Sequence, residues 1–279
     1  MSAMDINMGK GSSEDNHYYL GVDRSALRRY ELFNEVYQPA TEMRLATLAI
    51  RPDARVLDVG CGIGRTACYF AKNVVPDGEV VGFDQSEELV GLATQMAADE
   101  GIGNVTFYSD SAEDHQFEPD AFDLAHTRYV LSYSPFAATI VKKIATALKP
   151  SGIFFGEEIV QDYVTCHAAP WCESLFRWFE QLIALGGGDP NYGRNGLPTH
   201  MLDAGFADLT VTSFAPVADQ PRLVEMCRLA LSNEMRKAIV DNGFATDREV
   251  SACVNAMNEI DPKMLISVAP AYQVTGVKR

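Results

Sequence analysis

Short apolar runs alternate with segments of helical periodicity between residues 55 and 157. The apolar runs predict five strands, at residues 55–59, 79–84, 104–108, 122–127 and 152–157. Helices are predicted between them, at residues 64–73, 86–100 and 136–148. This alternation is typical of an α/β fold in which helices cover both faces of a parallel sheet.

The remaining segments predict a helical cap on this sheet. A helix at 23–50 is expected to lie over the mouth of the sheet, and residues 158–198 and 216–263 read as cap insertions, with a helical block at 222–259. Strands at 209–214 and 265–277 complete the sheet. We therefore predict a flexible tail at 1–22 and one domain at 23–279, whose core is 40–157 with 199–215 and 264–279.

The net charge of the chain disfavours some classes of binding partner. The 279 residues carry a net charge of -15, and such a surface repels nucleic acid and anionic lipid, so a small-molecule substrate is favoured. No apolar run reaches the length of a membrane helix, and the polar start has no signal-peptide core, which predicts a cytoplasmic protein. A homodimer stays open.

The cysteines do not predict a metal site. The chain has six cysteines, and they show neither a CxxC pair nor the spacing of zinc ligands. We interpret them as reduced and mostly buried thiols, and we expect no bound metal.

The segment VLDVGCGIG places Asp58, Gly60, Gly62 and Gly64 between a buried strand and a helix. Glycines are needed there because a side chain would block the tight turn and the approach of a ligand to the backbone. The nicotinamide fingerprint requires a sixth-position glycine where Arg65 stands, and the lysine of a nucleotide triphosphate loop is missing. Both of these ligand classes are disfavoured.

An acid at the end of the second strand completes this candidate site. Asp84 follows Gly64 by 20 residues, a position from which a carboxylate can accept hydrogen bonds from ribose hydroxyls. Asp58 could bind an ammonium group. A ligand with a ribose, an amino-acid end and no phosphate fits this pair.

Five motifs in order, VLDVGCGIG, VVGFDQS, SAEDHQF, FDLAHTRYVL and LKPSG, resemble those of class I S-adenosylmethionine-dependent methyltransferases. The resemblance covers about residues 40 to 215 and points to the ubiquinone/menaquinone-type and small-molecule branches. It implies a Rossmann-like, seven-stranded and mostly parallel sheet, S-adenosylmethionine as cofactor, and direct SN2 transfer of a methyl group to a small, apolar or aromatic molecule.

The resemblance also implies roles for individual positions. It assigns the methionine part, ribose and adenine of the cofactor to Asp58, Gly60, Gly62, Gly64, Asp84, Gln85, Ser111, Ala112, Glu113, Thr127 and Arg128. The family often has an acid where Ser111 stands, so either Asp110 or Ser111 could meet the adenine amine. Tyr133 stands where many relatives carry a histidine, so the role of that histidine does not transfer.

The acceptor site and a catalytic base are harder to predict. The helical stripe with Trp171 and Trp178 reads first as a core face and second as a substrate-facing cap. Each histidine reads first as structural, and His167 and His200 are the candidates for a general base. Two other functions stay open, namely a cyclisation or rearrangement that uses the bound cofactor, and a non-catalytic binding subunit.

Overall fold

The computed structural model describes residues 21, 24–160, 170–232, 234–259, 265–267 and 269–279. Its strands are β1 (Arg55–Val59), β2 (Glu79–Asp84), β3 (Val105–Ser109), β4 (Phe122–Arg128), β5 (Leu148–Ile159), β6 (Phe206–Phe214), β7 (Val217–Asp219), β8 (Leu265–Ser267) and β9 (Ala271–Lys278). Its helices are α1 (Arg24–Leu45), α2 (Arg65–Tyr69), α3 (Glu87–Asp99), α4 (Ala137–Ala147), α5 (Pro170–Leu185), α6 (Gly196–Asp203), α7 (Gln220–Ala230), α8 (Glu234–Asp241) and α9 (Asp247–Ala256).

Seven of these strands form the main sheet, in the order β3-β2-β1-β4-β5-β9-β6. The first five run parallel, and β9 is antiparallel to both β5 and β6. The predicted seven-stranded, mostly parallel α/β sheet is confirmed. Because β1 to β5 are parallel, their carboxyl ends and the loops that follow them meet at one edge of the sheet.

Both faces of the sheet are buried, as expected of parallel strands. Leu57 and Val59 of β1 pack into one apolar cluster with Ile140 and Ile144 of α4. Val56 points the other way and packs with Phe70, which lies in a π-helical turn after α2. Side chains alternate between faces along a strand, so these two clusters are the two halves of the core.

The predicted last strand at 265–277 is wrong, because the structure has two strands there. β8 pairs with β7 in a separate two-stranded sheet, whereas β9 joins the main sheet. Pro270 lies between them, and a proline cannot donate the backbone hydrogen bond that a continuous ladder needs. β7, the partner of β8, lies inside the segment 216–263, which the sequence predicts as a helical cap.

The helical predictions are correct in kind but not in extent. The first helix ends at Leu45 instead of residue 50, and the second is the short α2 continued by the π-helical turn Phe70–Val74. The predicted block at 222–259 is three helices, α7 to α9. A new helix starts at Thr246 because its hydroxyl and the Glu249 carboxylate cap each other's backbone N–H groups.

The cap is held together by an apolar cluster that joins α1, α5, α7, α8 and α9. Trp171 and Trp178 are only 5% and 3% exposed in this cluster, so these two side chains belong to a core face, whereas Phe179 and Ile183 of the same stripe line a cavity. α5 begins at Pro170, which suits a first helical position. Among the helices described, no span is both long and apolar enough to cross a membrane. Residues 1–20 of the predicted tail lie outside the described part.

Candidate functional site

The glycine-rich loop after β1 is hydrogen-bonded to the end of β2. The N–H groups of Gly60 and Cys61 donate to the Phe83 carbonyl at 2.7 and 2.8 Å. The Gly62 N–H donates to Asp84 Oδ2 at 2.9 Å. These bonds hold the loop and the Asp84 carboxylate side by side at the carboxyl edge of the sheet.

The three loop glycines have different physical reasons for being glycine. All have positive φ, at 75°, 54° and 79°. A Cβ on Gly60 would stand 2.2 Å from Val130, and one on Gly64 would stand 2.7 Å from Ala93 of α3. A Cβ on Gly62 would have no atom beyond its chain neighbours within 4 Å. Gly62 thus leaves room for a ligand. Gly64 is not among the residues that line the cavity and packs against α3, so its contact with the cofactor stays a prediction.

A cavity of about 620 Å³ opens above this edge of the sheet, within the range of about 300–1,000 Å³ common for small-molecule sites. One end, here called the polar end, is lined by Asp58, Gly60, Gly62, Asp84, Gln85, Asp110, Ser111, Ala112, Glu113 and Arg128. The other, here called the apolar end, includes Phe33, Tyr37, Tyr129, Ile159, Phe176, Phe179, Ile183 and Met226. Arg29, Tyr30 and Asn34 of α1 also line the cavity.

Asp84 is buried at the polar end and is 9% exposed. Burial, helped by the nearby charge of Asp58, raises the pKa of its carboxyl, and the N–H groups of Ser86 and Gly62 counteract this rise. Each carboxylate oxygen accepts one of these N–H groups and keeps a second lone pair. The carboxylate can therefore accept two more hydrogen bonds from the cavity.

Asp58, which lines the polar end, has an unpartnered carboxylate oxygen. Its side chain is 2% exposed, and its Oδ1 lies 2.7 Å from His126 Nδ1. Its Oδ2 is buried and has no hydrogen-bond partner. A buried acceptor without a partner is costly, and an ammonium group of a ligand would satisfy it.

The loop after β3 also reaches the polar end. Ser111, Ala112 and Glu113 line the cavity beside Asp110. Asp110 accepts the Ser111 N–H at 2.8 Å and lies 2.6 Å from His115 Nδ1. Asp110 and Ser111 both remain positioned to meet a ligand amine.

The two residues predicted beside the methionine end differ in placement. Arg128 lines the cavity and donates hydrogen bonds to Asn34, Gln38 and Thr41 of α1. Thr127 does not line it, because its side chain points into the core, where its hydroxyl is buried without a partner. The side chain of Thr127 therefore does not support the predicted contact with the cofactor, which stays a prediction.

Tyr129 was not singled out from the sequence. Its φ of 58° is rare for a bulky residue, and its hydroxyl is buried without a partner. Its ring contacts Phe33 and Tyr37, with centroids 4.9 and 5.3 Å apart. Among the unpartnered buried side-chain atoms found in the described residues, those of Asp58 and Tyr129 belong to cavity-lining residues.

The histidine candidates are not supported as bases. His200 lies on α6 outside the cavity lining, with its Nδ1 2.8 Å from the Tyr192 hydroxyl. A base must reach the substrate, and this placement does not support His200 in that role, which stays a prediction. His167 lies outside the described residues. His126, interpreted first as structural, is hydrogen-bonded directly to Asp58.

Three features define a Rossmann-like protein with a nucleoside-type site. They are the strand order, the loop after β1 that is hydrogen-bonded to the end of β2, and the acid that ends β2. Residues 50–186 match a family described as a methyltransferase domain. This match and the ordered motifs identify that part of the chain as a class I S-adenosylmethionine-dependent methyltransferase domain.

Individual relatives resemble parts of the chain. The uncharacterized methyltransferase YcgJ of Bacillus subtilis is 34% identical over 40% of this chain and 43% of its own length. The demethylmenaquinone methyltransferase of Lactococcus lactis is 33% identical over 35% and 38%. The matched segments thus span less than half of these relatives.

Solved structures support the fold. The crystal structure of YcgJ superposes with a TM-score of 0.61 at 21% identity, and the match covers 87% of this chain and 99% of that chain. The [4+2]-cyclase SpnF superposes with a TM-score of 0.56 at 19% identity, covering 86% and 80%. At this level of identity the likeness extends to the fold alone.

Proposed function

We propose that this protein transfers the methyl group of S-adenosylmethionine to a small, apolar or aromatic organic molecule. The observation that carries the proposal is one cavity with two unlike ends. The polar end offers unsatisfied acceptors to a nucleoside with an amino-acid part, and the apolar end offers aromatic and aliphatic side chains.

The residues of the polar end fit the cofactor. The unpartnered Oδ2 of Asp58 suits its ammonium group, and the spare lone pairs of Asp84 suit its ribose hydroxyls. The open side of Gly62 leaves space next to the loop backbone. Gln85 and residues 110–113 are available to the adenine. When bound, S-adenosylmethionine supplies a methyl group made electrophilic by its sulfonium.

The protein contributes mainly alignment and exclusion of water. The acceptor's lone pair forms the new bond to the methyl carbon, and the carbon–sulfur bond breaks with its electron pair moving to sulfur. A hydroxyl or amine acceptor also loses one proton to solvent or to a base. The aromatic residues of α1 and α5 line the apolar end, where they hold the acceptor away from bulk water.

The acceptor class follows from the apolar end. Phe33, Phe176 and Phe179 offer ring faces and edges, which favour offset or edge contacts with a flat partner. The name of the Lactococcus relative, a demethylmenaquinone methyltransferase, refers to a quinone substrate, which supports an acceptor with a ring.

Labelled S-adenosylmethionine tests this proposal directly. The purified protein is incubated with the labelled cofactor and extract of its host, and the product is identified by mass. We expect a labelled, largely apolar small molecule that is absent without the protein. A label recovered in nucleic acid or protein, or no label transfer by a protein that binds S-adenosylhomocysteine, would contradict it.

The same experiment separates the two alternatives from the sequence. A cyclisation or rearrangement leaves the cofactor intact after turnover. A non-catalytic binding subunit is expected to have a plugged acceptor space, and the cavity of about 620 Å³ argues against that.

A further inference from the structure

A buried histidine connects Asp58 to a second carboxylate. His126 of β4 is 0% exposed, and its Nδ1 lies 2.7 Å from Asp58 Oδ1 while its Nε2 lies 3.1 Å from Glu157 Oε1. The rings of Phe70 and Phe155 pack against the imidazole, with centroids 5.3 and 5.2 Å away. Both polar contacts of His126 are thus made to carboxylates, with no access for water.

Two ionised carboxylates as partners require a charged imidazole. An ionised carboxylate only accepts hydrogen bonds, and neutral imidazole has a single N–H, so both contacts form only with the imidazolium. Burial alone lowers the pKa of His126, but the hydrogen bonds and charges of Asp58 and Glu157 outweigh it and raise the pKa overall. Burial likewise acts to raise the pKa of Glu157, yet His126 and Arg128 bring it below its ordinary value.

The far end of the chain of hydrogen bonds is firmly fixed. Glu157 accepts the Thr41 hydroxyl of α1 at 2.8 Å and the Gln273 amide of β9 at 2.7 Å. With His126, donors from three elements hold this carboxylate. Glu157 in turn fixes the imidazole of His126. The imidazole occupies Asp58 Oδ1, so Oδ2 is the oxygen that remains for a ligand.

We propose that His126, held by Glu157, fixes Asp58 through its Oδ1 and leaves Oδ2 for the ammonium group of the cofactor, so that His126 is a positioning residue. This inference rests on the proposed function.

Other ionisable groups surround the pair and bear on its pH dependence. They are Asp84 of β2, Cys61 of the loop, Cys68 of α2, Arg128 of β4, Tyr129 after β4, and Glu157 of β5. Of these, Asp84 carries a raised pKa and is assigned to the ribose. Its titration therefore affects any adenosine ligand equally.

Two ligands distinguish binding of the amino-acid part of the cofactor from binding of its adenosine part. S-adenosylhomocysteine carries the amino-acid part, whereas 5′-methylthioadenosine lacks it. Calorimetry at pH 6 and pH 8 gives the ratio of their affinities for the wild type and for His126→Gln. We expect a ratio that changes little with pH in the wild type. In His126→Gln we expect a ratio that is about tenfold lower than in the wild type at both pH values, the equivalent of about 1.4 kcal/mol, because Asp58 is no longer held through Oδ1.

A control variant removes a partly buried hydrogen bond elsewhere. Tyr192→Phe breaks the contact with His200 outside the cavity, and its affinity ratio should equal that of the wild type. A wild-type ratio in His126→Gln at both pH values would overturn the proposal. So would an equal loss of affinity for both ligands, because that marks a merely structural role.

A second measurement covers the case in which His126→Gln does not fold. The ring proton shifts of His126 in the wild-type protein, followed by nuclear magnetic resonance from pH 6 to pH 8, should stay those of an imidazolium. Shifts of a neutral ring would overturn the inference. A wild type that binds neither adenosine ligand would instead refute the proposed function itself.

Discussion

The two ends of the cavity are built in different ways. The polar end stands on loops that directly follow β1, β2, β3 and β4, and short backbone hydrogen bonds fix it, such as those from Gly60 and Cys61 to Phe83. The apolar end is assembled from α1, α5 and α7, which are far apart in sequence. Its helices meet mainly through apolar packing around Trp171 and Trp178.

The polar contacts within the cap contribute little by comparison. Arg28 of α1 pairs with Glu225 of α7 at 3.1 Å, but both side chains are more than 40% exposed, and exposed ion pairs add little to stability. A fixed polar end beside a packed apolar end explains how one family can keep a cofactor while its acceptors differ, since the function depends on the grafted site more than on the fold.

We expect the largest effect, a loss of cofactor affinity, from a substitution at the polar end. Asp84→Ala removes the carboxylate that would accept two ribose hydroxyls, each worth about 1.5 kcal/mol, so the affinity for S-adenosylhomocysteine should fall about 100-fold. Calorimetry measures this change. Asp123→Ala, an acid at the amino end of β4 that pairs with Lys149, should keep wild-type affinity. Unchanged binding in Asp84→Ala would contradict the ribose assignment.

The next largest effect concerns the pH dependence of stability, through the turn at residues 130–132 that joins the two ends of the cavity. Glu158 of β5 accepts the N–H groups of Val130 and Leu131 and the hydroxyl of Ser132. Burial raises the pKa of this carboxyl from 4.5 to about 7. The unfolded chain releases this proton near pH 4.5, whereas the folded protein keeps it until about pH 7. The folded state binds more protons in that interval, so stability falls as pH rises.

Urea unfolding at pH 5.5 and pH 8 tests this contribution. We expect Glu158 to lower the free energy of unfolding by about 2 kcal/mol between these pH values, at about 1.4 kcal/mol per pKa unit. Glu158→Gln cannot ionise and should show a correspondingly flatter profile. Parallel profiles for the two proteins would mean that Glu158 titrates normally.

A third prediction addresses the apolar end alone. Phe179→Ala removes a ring from the cavity wall, and the yield of labelled product should fall by up to about tenfold, the scale of an aromatic contact. The affinity for S-adenosylhomocysteine should stay unchanged, because Phe179 lies at the other end. Leu202→Ala, at a side chain that is 59% exposed on α6, controls for lost apolar surface. A matching loss of cofactor affinity would show that the two ends are not separate.

The smallest effect compares two tyrosines of the apolar end. The Tyr129 hydroxyl is buried without a partner, so Tyr129→Phe should raise the free energy of unfolding by about 1 kcal/mol. The Tyr37 hydroxyl donates to the Ala269 carbonyl at 3.1 Å, so Tyr37→Phe should lower it by about 1 kcal/mol. Urea unfolding measures both. Changes of the same sign would show that Tyr129 has a partner in solution.

Local patterns were sufficient for the sheet and for most of the polar end. The predicted bounds of β1 and β2 match the structure, because apolar runs and turn residues act over a few neighbours. Asp58, Gly60, Gly62 and Asp84 line the cavity, since a residue at the carboxyl end of a parallel strand reaches the same edge whatever follows in the chain.

Only the tertiary structure decided which side chains turn toward the ligand and which pair in the core. Thr127 and Arg128 are neighbours, yet one faces the core and the other the cavity. His126 meets partners 68 and 31 residues away, and the positive φ of Tyr129 depends on the packing around it. No pattern within a few residues carries such information, because these contacts form only when distant segments are brought together.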